Sequence, residues 1–353
     1  MYVSSACCIS PQGIFMLGEL PSSPVVLEGN RWACIEPDYK NSIKDANLRR
    51  RMSRIVKIGV SAAMECVRQS GVDPDAIITA TGLGCLADTE KFLSALTDQQ
   101  EQQLNPTPFI QSTFNTVGAQ TALLLGNHGY NTTYVHRGCS FESALLDAKI
   151  QIDEGNAGHV LVGCFDETTD VSFEIMRRMG FWKKDPGKNS SLYQDDSRGT
   201  VSGEGAAFFM LSKQPTPQSL PISISDVYYF NQPVDHNSGE HLYAFLSSRK
   251  YDISGIDLLI LGNNGDTQGD KIYQEIARRF FPGIPYCFFK NLCGEYSTAS
   301  GFALSLASGI LIRQEIGAAM SFGNISRKIK NVLIINHFQR TSYGLIRCTI
   351  ETI

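Results

Sequence analysis

The sequence predicts an α/β protein built from two similar halves. Three observations lead there. Strand-like and helix-like runs alternate along most of the 353 residues. Two helix-like runs, beginning at Ser140 and Ser297, are apolar on most faces, and each follows a turn that carries polar groups. The composition is 42% hydrophobic and 19% charged, with 31 Gly and 14 Pro. That describes a compact chain and excludes disorder, collagen and coiled coil.

The elements follow in order. MYVSSACCI is a short β-rich opening. From Met52 to Arg68, Ile55, Ile58, Ala62 and Cys66 recur at helical spacing, and Gly71 stands where a left-handed C-cap belongs. AIITATGLG reads as a buried strand entering a glycine turn, and TTYVHRGC as a further strand. SFESALLDAKIQIDEGN reads as a helix with Ser140 as N-cap. HVLVGCFDE, AAFFML, LLILGNN and KNVLIINHF are apolar strands. The polar stretch from Trp182 to Arg198 reads as a surface excursion. Lys213 to Leu220, with two prolines, is the best boundary, giving halves of 1–212 and 213–353.

The formal net charge of -4 argues against nucleic acid as a partner, because phosphate binding usually needs a basic surface. No apolar run approaches the roughly 20 residues that span a bilayer. The opening MYVSSACCISPQGIF lacks a basic leader region, so a cytoplasmic protein is expected. The ten cysteines form no CxxC pair and no dense scaffold. Most are expected to be small buried residues, and no metal site or other cofactor is expected.

Cys139 stands apart by its place. A strand delivers it to a sharp turn, and a helix begins at once. A thiol there meets the positive end of the helix dipole and free backbone N–H groups, which lower its pKa and can hold an oxyanion. The plan is that of a nucleophile elbow with Cys in place of Ser.

Eight segments in order then resemble the β-ketoacyl synthases of the thiolase fold. They are VSSACCISPQG, RRRMSRIVKIGVSAAMECVRQSG, ATGLGCLADTEKF, the run from STFNTVGAQ through HRGCSFESALLDA, GNAGHVLVGCFDETTD, DDSRGTVSGEGAAFFML, FFKNLCGEYSTASGFALSLASGIL and INHFQRTSYGLIRC. The resemblance implies a duplicated five-layer α-β-α-β-α sandwich, and an acyl chain delivered by the phosphopantetheine arm of an acyl carrier protein. It carries the nucleophile to Cys139 and the family lysine to Lys290. It also implies a dimer paired through TTYVHRG, either with a second copy or with another ketosynthase.

The two family histidines do not carry over. Gly262, Asn263 and Asn264 stand where the first belongs, and Glu295 where the second belongs. Thr267 is the remaining candidate for the pantetheine-contacting threonines, and Gln339, Arg340, Thr341 and Ser342 replace the closing glycine loop. Decarboxylation of a malonyl thioester develops negative charge that imidazole donors stabilise and an ionised Glu295 would repel. Acyl transfer onto Cys139 asks for less.

The leading reading is therefore an acyltransferase of the ketosynthase type. It would take a chain on Cys139 and pass it on by condensation or simple transfer, in fatty-acid, polyketide or aryl-polyene-like biosynthesis. Glu295, Asn263 or Asn264, and the Arg340 backbone would line the site. The rival is a non-catalytic partner subunit of the chain-length-factor kind. His337, in the closing segment, is read as a loop residue satisfying local backbone. His136 is read as interface or core packing, and Arg137 and Glu142 as surface or interface pairing.

Overall fold

The computed structural model describes residues 1–353 except 22, 195, 216–220, 232–239, 249–252, 318–319, 321–327 and 352–353. Most of the expected boundary stretch lies outside the described residues. Among the described residues, the strands are β1 (Tyr2–Ser10), β2 (Gly13–Met16), β3 (Ala76–Ala80), β4 (Tyr130–Tyr134), β5 (His159–Asp166), β6 (Gly205–Ser212), β7 (Ile222–Asn231), β8 (Leu258–Leu261), β9 (Tyr286–Phe288), β10 (Asn331–Phe338) and β11 (Ser342–Ile350). The helices are α1 (Ala46–Arg51), α2 (Arg54–Ser70), α3 (Leu86–Asp98), α4 (Pro106–Gln111), α5 (Thr116–Leu125), α6 (Ser140–Asp153), α7 (Asp170–Arg178), α8 (Glu240–Ser247), α9 (Thr267–Phe280), α10 (Lys290–Cys293) and α11 (Ser300–Arg313).

Strand order shows the duplication directly. It runs β4-β3-β5-β6-β1 and then β7-β11-β10-β8-β9, with β2 a hairpin arm on β1. In the first set β3 is parallel to β4 and β5, and β6 is antiparallel to β5 and β1. In the second, β8 is parallel to β9 and β10, and β11 is antiparallel to β10 and β7. Each strand of one half thus has a counterpart of the same sense in the other. Among the described residues, one ladder pair, Tyr2 with Ser223, joins the two sets.

Three cores between and outside the sheets make five layers. The central core packs α6 and α11 against residues of both sheets, among them Val162, Phe209, Ile260 and Ile334. A second core places α2, with Ile55, Val60 and Ala63, on the outer face of the first sheet. The third places Leu242, Ile272 and Ile276 on the outer face of the second. A strand covered on both faces reads as an unbroken apolar run, and β5 and β6 do so because helices flank them on each side. The twelve buried residues among the fourteen of α11 follow from its central layer.

Two local expectations need correcting. Ser140 is the first residue of α6, and Cys139 occupies the N-cap position. The Ser140 hydroxyl instead donates to the carbonyls of Thr81 and Arg137. The polar excursion after Trp182 is not simply a surface loop. Lys183 and Asn189 are buried in it, and Leu192 packs with Trp32 and Val201. The polar residues of that stretch are satisfied by bonds such as Asn189 Nδ2 to Val25 O, which makes their burial affordable.

Candidate functional site

The site forms where the loops after β3, β4, β5, β8, β9 and β10 converge. Asp166, at the end of β5, ties this end together. Its Oδ1 accepts from Thr81 Oγ1 and Gly82 N, and its Oδ2 accepts from Thr298 N and Oγ1, at 2.7–3.1 Å. The segment around Gly203 is held by Arg54 on α2, whose guanidinium donates to both oxygens of the buried Glu204.

The turn at Cys139 is an elbow. Arg137 takes φ +53°, a left-handed conformation uncommon outside glycine, and the chain then enters α6. Gly138 is required there, because a Cβ would press on Phe338 and Ser342. The thiol is wholly buried. It lies 3.7 Å from Phe230 O, 3.5 Å from Asn231 Oδ1 and 3.9 Å from Tyr343 O. All three are acceptors, so they suit S–H and oppose S⁻, while weaker hydrogen bonds from Ser342 and the Tyr343 backbone act in the opposite sense. Burial, and then the nearby Glu142, push the thiol up to about 12. The expected lowering of its pKa does not occur, because desolvation outweighs the helix dipole. The elbow amide is also committed, with Cys139 N donating to His136 O at 3.1 Å.

Two cavities lie nearby. One, of about 970 Å³, is bordered by Leu83, Glu167, Met176, Trp182, Tyr229 and Phe338 among others. A smaller one, of about 260 Å³, is bordered by Arg198, Asn264, Gln268, His337 and Arg340. Glu295, Phe338 and Gln339 border both, which marks their junction. Cys139 borders neither. Asn231 and Ser342 stand between it and the larger space, with Ser342 Oγ donating to Asn231 Oδ1 at 2.7 Å.

Lys290 and Glu295 meet in the wall. Lys290 Nζ donates to both Glu295 oxygens and to His337 O. Asn264 Nδ2 donates to Glu295 Oε2 at 2.5 Å. Burial raises the Glu295 carboxyl, while Lys290 and Asn264 pull it back towards the charged form. Asn263 is buried beside Asn264 but borders neither cavity. Asp270 accepts from Asn264 N and Gly265 N and so shapes this turn. Thr267 opens α9, bonds to the carbonyls of Asp196 and Ser197, and borders neither cavity. Gln339 and Arg340 make the β10–β11 turn with consecutive φ of +53° and +59°, strain that glycines would avoid.

His337 is buried on β10, stacked on Tyr273, with burial and the Lys290 charge pressing it down to about 3. Its backbone satisfies local groups, but its place is in a strand and not a loop. His136 bonds to Ser143 and borders the larger cavity, where core or interface packing was expected. Glu142 overturns the expected surface pairing. It is 1% exposed at most, both of its oxygens lack partners among the described residues, and burial pushes it up to about 7. It fits because Gly344 has no Cβ to meet Oε1. Sequence reasoning missed Asn231, Glu167 and Tyr229 as cavity residues, since Asn231 and Tyr229 lie outside the matched segments and Glu167 lies within one beside the more conspicuous Asp166.

Comparison with known proteins places the fold. Residues 34–180 match the β-ketoacyl synthase N-terminal domain family. The 3-oxoacyl-[acyl-carrier-protein] synthase 2 of Synechocystis sp. (strain ATCC 27184 / PCC 6803 / Kazusa) is 22% identical over 211 residues, which are 54% of this chain. The match spans about half, 51%, of that relative's length. A β-ketoacyl synthase from Burkholderia phymatum STM815 superposes with a TM-score of 0.80 at 13% identity, covering 99% of each chain. A chain of the ketosynthase–chain length factor complex from Xenorhabdus doucetiae gives 0.71 at 16%, covering 99% of this chain and 98% of that one. A chain of the ishigamide ketosynthase/chain length factor gives 0.75 at 15%, covering 99% of each. The fold is the thiolase-like fold of the ketosynthases.

Proposed function

We propose, from the premise that this chain is a divergent member of the β-ketoacyl synthase family, that it is an acyl-chain-holding subunit of the chain-length-factor kind. It pairs with a catalytically competent synthase and receives the chain that an acyl carrier protein presents. One observation carries this reading: the sulfur of Cys139 is sealed among three acceptor oxygens, with its elbow amide already bonded. An acyl-enzyme needs a thiolate and free N–H donors at the carbonyl oxygen. Neither imidazole expected for decarboxylation stands at the junction, where Lys290, Glu295 and Asn264 form a closed set of bonds. Losing one oxyanion donor already costs about 3 kcal/mol of transition-state stabilisation.

The larger cavity supplies the holding role, since its wall is mostly apolar and aromatic. Pairing would use β4, the end strand of the first sheet, with Tyr130 on it and Phe109 and Ile110 on α4 exposed. The protein would act in fatty-acid or polyketide-type biosynthesis.

A second reading, acyl transfer on Cys139, is favoured by one feature. Asn231, the side chain over the thiol, itself borders the cavity, so turning it aside would expose the sulfur. Intact mass after incubation with acyl carrier proteins bearing different chains separates the two. The holding reading predicts no covalent adduct, and a stable complex with a catalytically competent ketosynthase. An adduct that vanishes in Cys139→Ala would sink it and establish transfer.

A further inference from the structure

Two carboxyls face the larger cavity in a way its chain-holding role does not explain. Glu167 directly follows Asp166, yet the two differ. Asp166 has four donors on its oxygens. Glu167 has one, Ala87 N at 3.0 Å on Oε1. Among the described residues none donates to its Oε2 or pairs with it as an ion. Glu90, four residues after Leu86 on α3, accepts from Thr169 Oγ1 on Oε1 and is likewise without a cation among the described residues. Both border the larger cavity and neither borders the smaller one. They therefore stand apart from the junction, on a wall shared with Leu83, Leu86 and Ile175 and with the polar Arg137, Thr168 and Ser172.

A chain ending in a methyl group would strand the Glu167 oxygen against hydrocarbon, and a polar group buried without a partner is costly. A hydroxyl supplies the missing donor and can also accept. An ammonium is a poorer match, because Arg137 borders the same cavity and a second cation there would be repelled, whereas a hydroxyl adds no charge. Building on the chain-holding reading, we infer that the chain bound here ends in a hydroxyl, alcohol or phenol, which bonds to Glu167 with Glu90 beside it.

The test is a binding titration on the intact protein, read by fluorescence. Trp182 borders this cavity as well as the smaller one, while the other tryptophan, Trp32, is buried elsewhere, so the Glu167 variants assign the signal to the larger cavity. The probes are lauric acid and its ω-hydroxy, ω-methoxy and ω-amino derivatives. ω-Hydroxylauric acid should bind about tenfold tighter than lauric acid, the effect of one added hydrogen bond. The ω-methoxy acid, of similar size but without the donor, should bind no tighter than lauric acid. Glu167→Leu should abolish the hydroxyl preference, and Glu167→Gln should keep part of it. Equal binding of lauric and ω-hydroxylauric acids, preference for the methoxy or amino acid, or a preference that survives Glu167→Leu overturns the inference and leaves the chain-holding reading standing. No binding of any of the four overturns both.

Discussion

Lys290 Nζ donates to the two carboxylate oxygens of Glu295 at 2.9 and 2.8 Å, with the lysine side chain fully buried and that of Glu295 4% exposed. With the bond to His337 O, all three ammonium protons are used. A buried pair of this kind contributes little net stability over an apolar pair, but breaking it leaves a charge stranded.

Lys290→Met should therefore lower unfolding free energy by about 3–5 kcal/mol. The double variant Lys290→Met/Glu295→Leu should recover most of that loss. Urea unfolding of the four proteins forms a double-mutant cycle. Additive losses would show that the pair is not coupled.

Cys139 should be inert in the folded protein. A thiol pushed up to about 12 holds almost no thiolate at pH 8, and the thiolate is the species that alkylating reagents attack. Peptide mapping after iodoacetamide at pH 8 should find Cys139 unmodified until urea unfolds the chain. Rapid native alkylation at this position would contradict the sealed geometry.

Glu142 sets a pH dependence. Its folded pKa of about 7 lies above its ordinary value of 4.5, so between these values the folded state binds more protons than the unfolded one. Stability from this group is full below about pH 4.5 and falls as pH rises towards 7 and beyond. The difference amounts to about 3 kcal/mol. Glu167 has the same sign, whereas His337, held near 3, changes stability only below its ordinary value of 6.5. The wild type should thus lose stability between pH 6.5 and 8, and Glu142→Gln should lose less. Urea midpoints at the two pH values measure it, and identical slopes would refute it.

Much of the fold was legible because burial writes simple patterns. The Met52–Arg68 periodicity and Gly71, now seen at φ +67°, gave α2 and its end. The unbroken apolar runs gave β5, β6, β8 and β10, and the all-round apolarity gave α11. Shorter or half-exposed elements such as α3, α4 and β7 carried weaker signals, because only one face is apolar. At the site, the sequence singled out Cys139, Lys290 and Glu295 and gave the helix dipole too much weight. Desolvation depends on Asn231, Tyr343 and Phe230, which lie about 90 to 200 positions along the chain and meet the thiol only after folding. Glu142 looked like a surface residue because nothing in its neighbourhood announces that Gly344 leaves room for it.

Among the described residues the two sheets share one ladder pair, Tyr2 with Ser223, yet they enclose the same two helices. A fragment cut off after β6 would carry α6 with one flank bare, and the remainder would carry α11 in the same condition. Each would clump through the surface that the other now hides. The chain is in effect a dimer made permanent by a linker, and neither member retains the means to live alone.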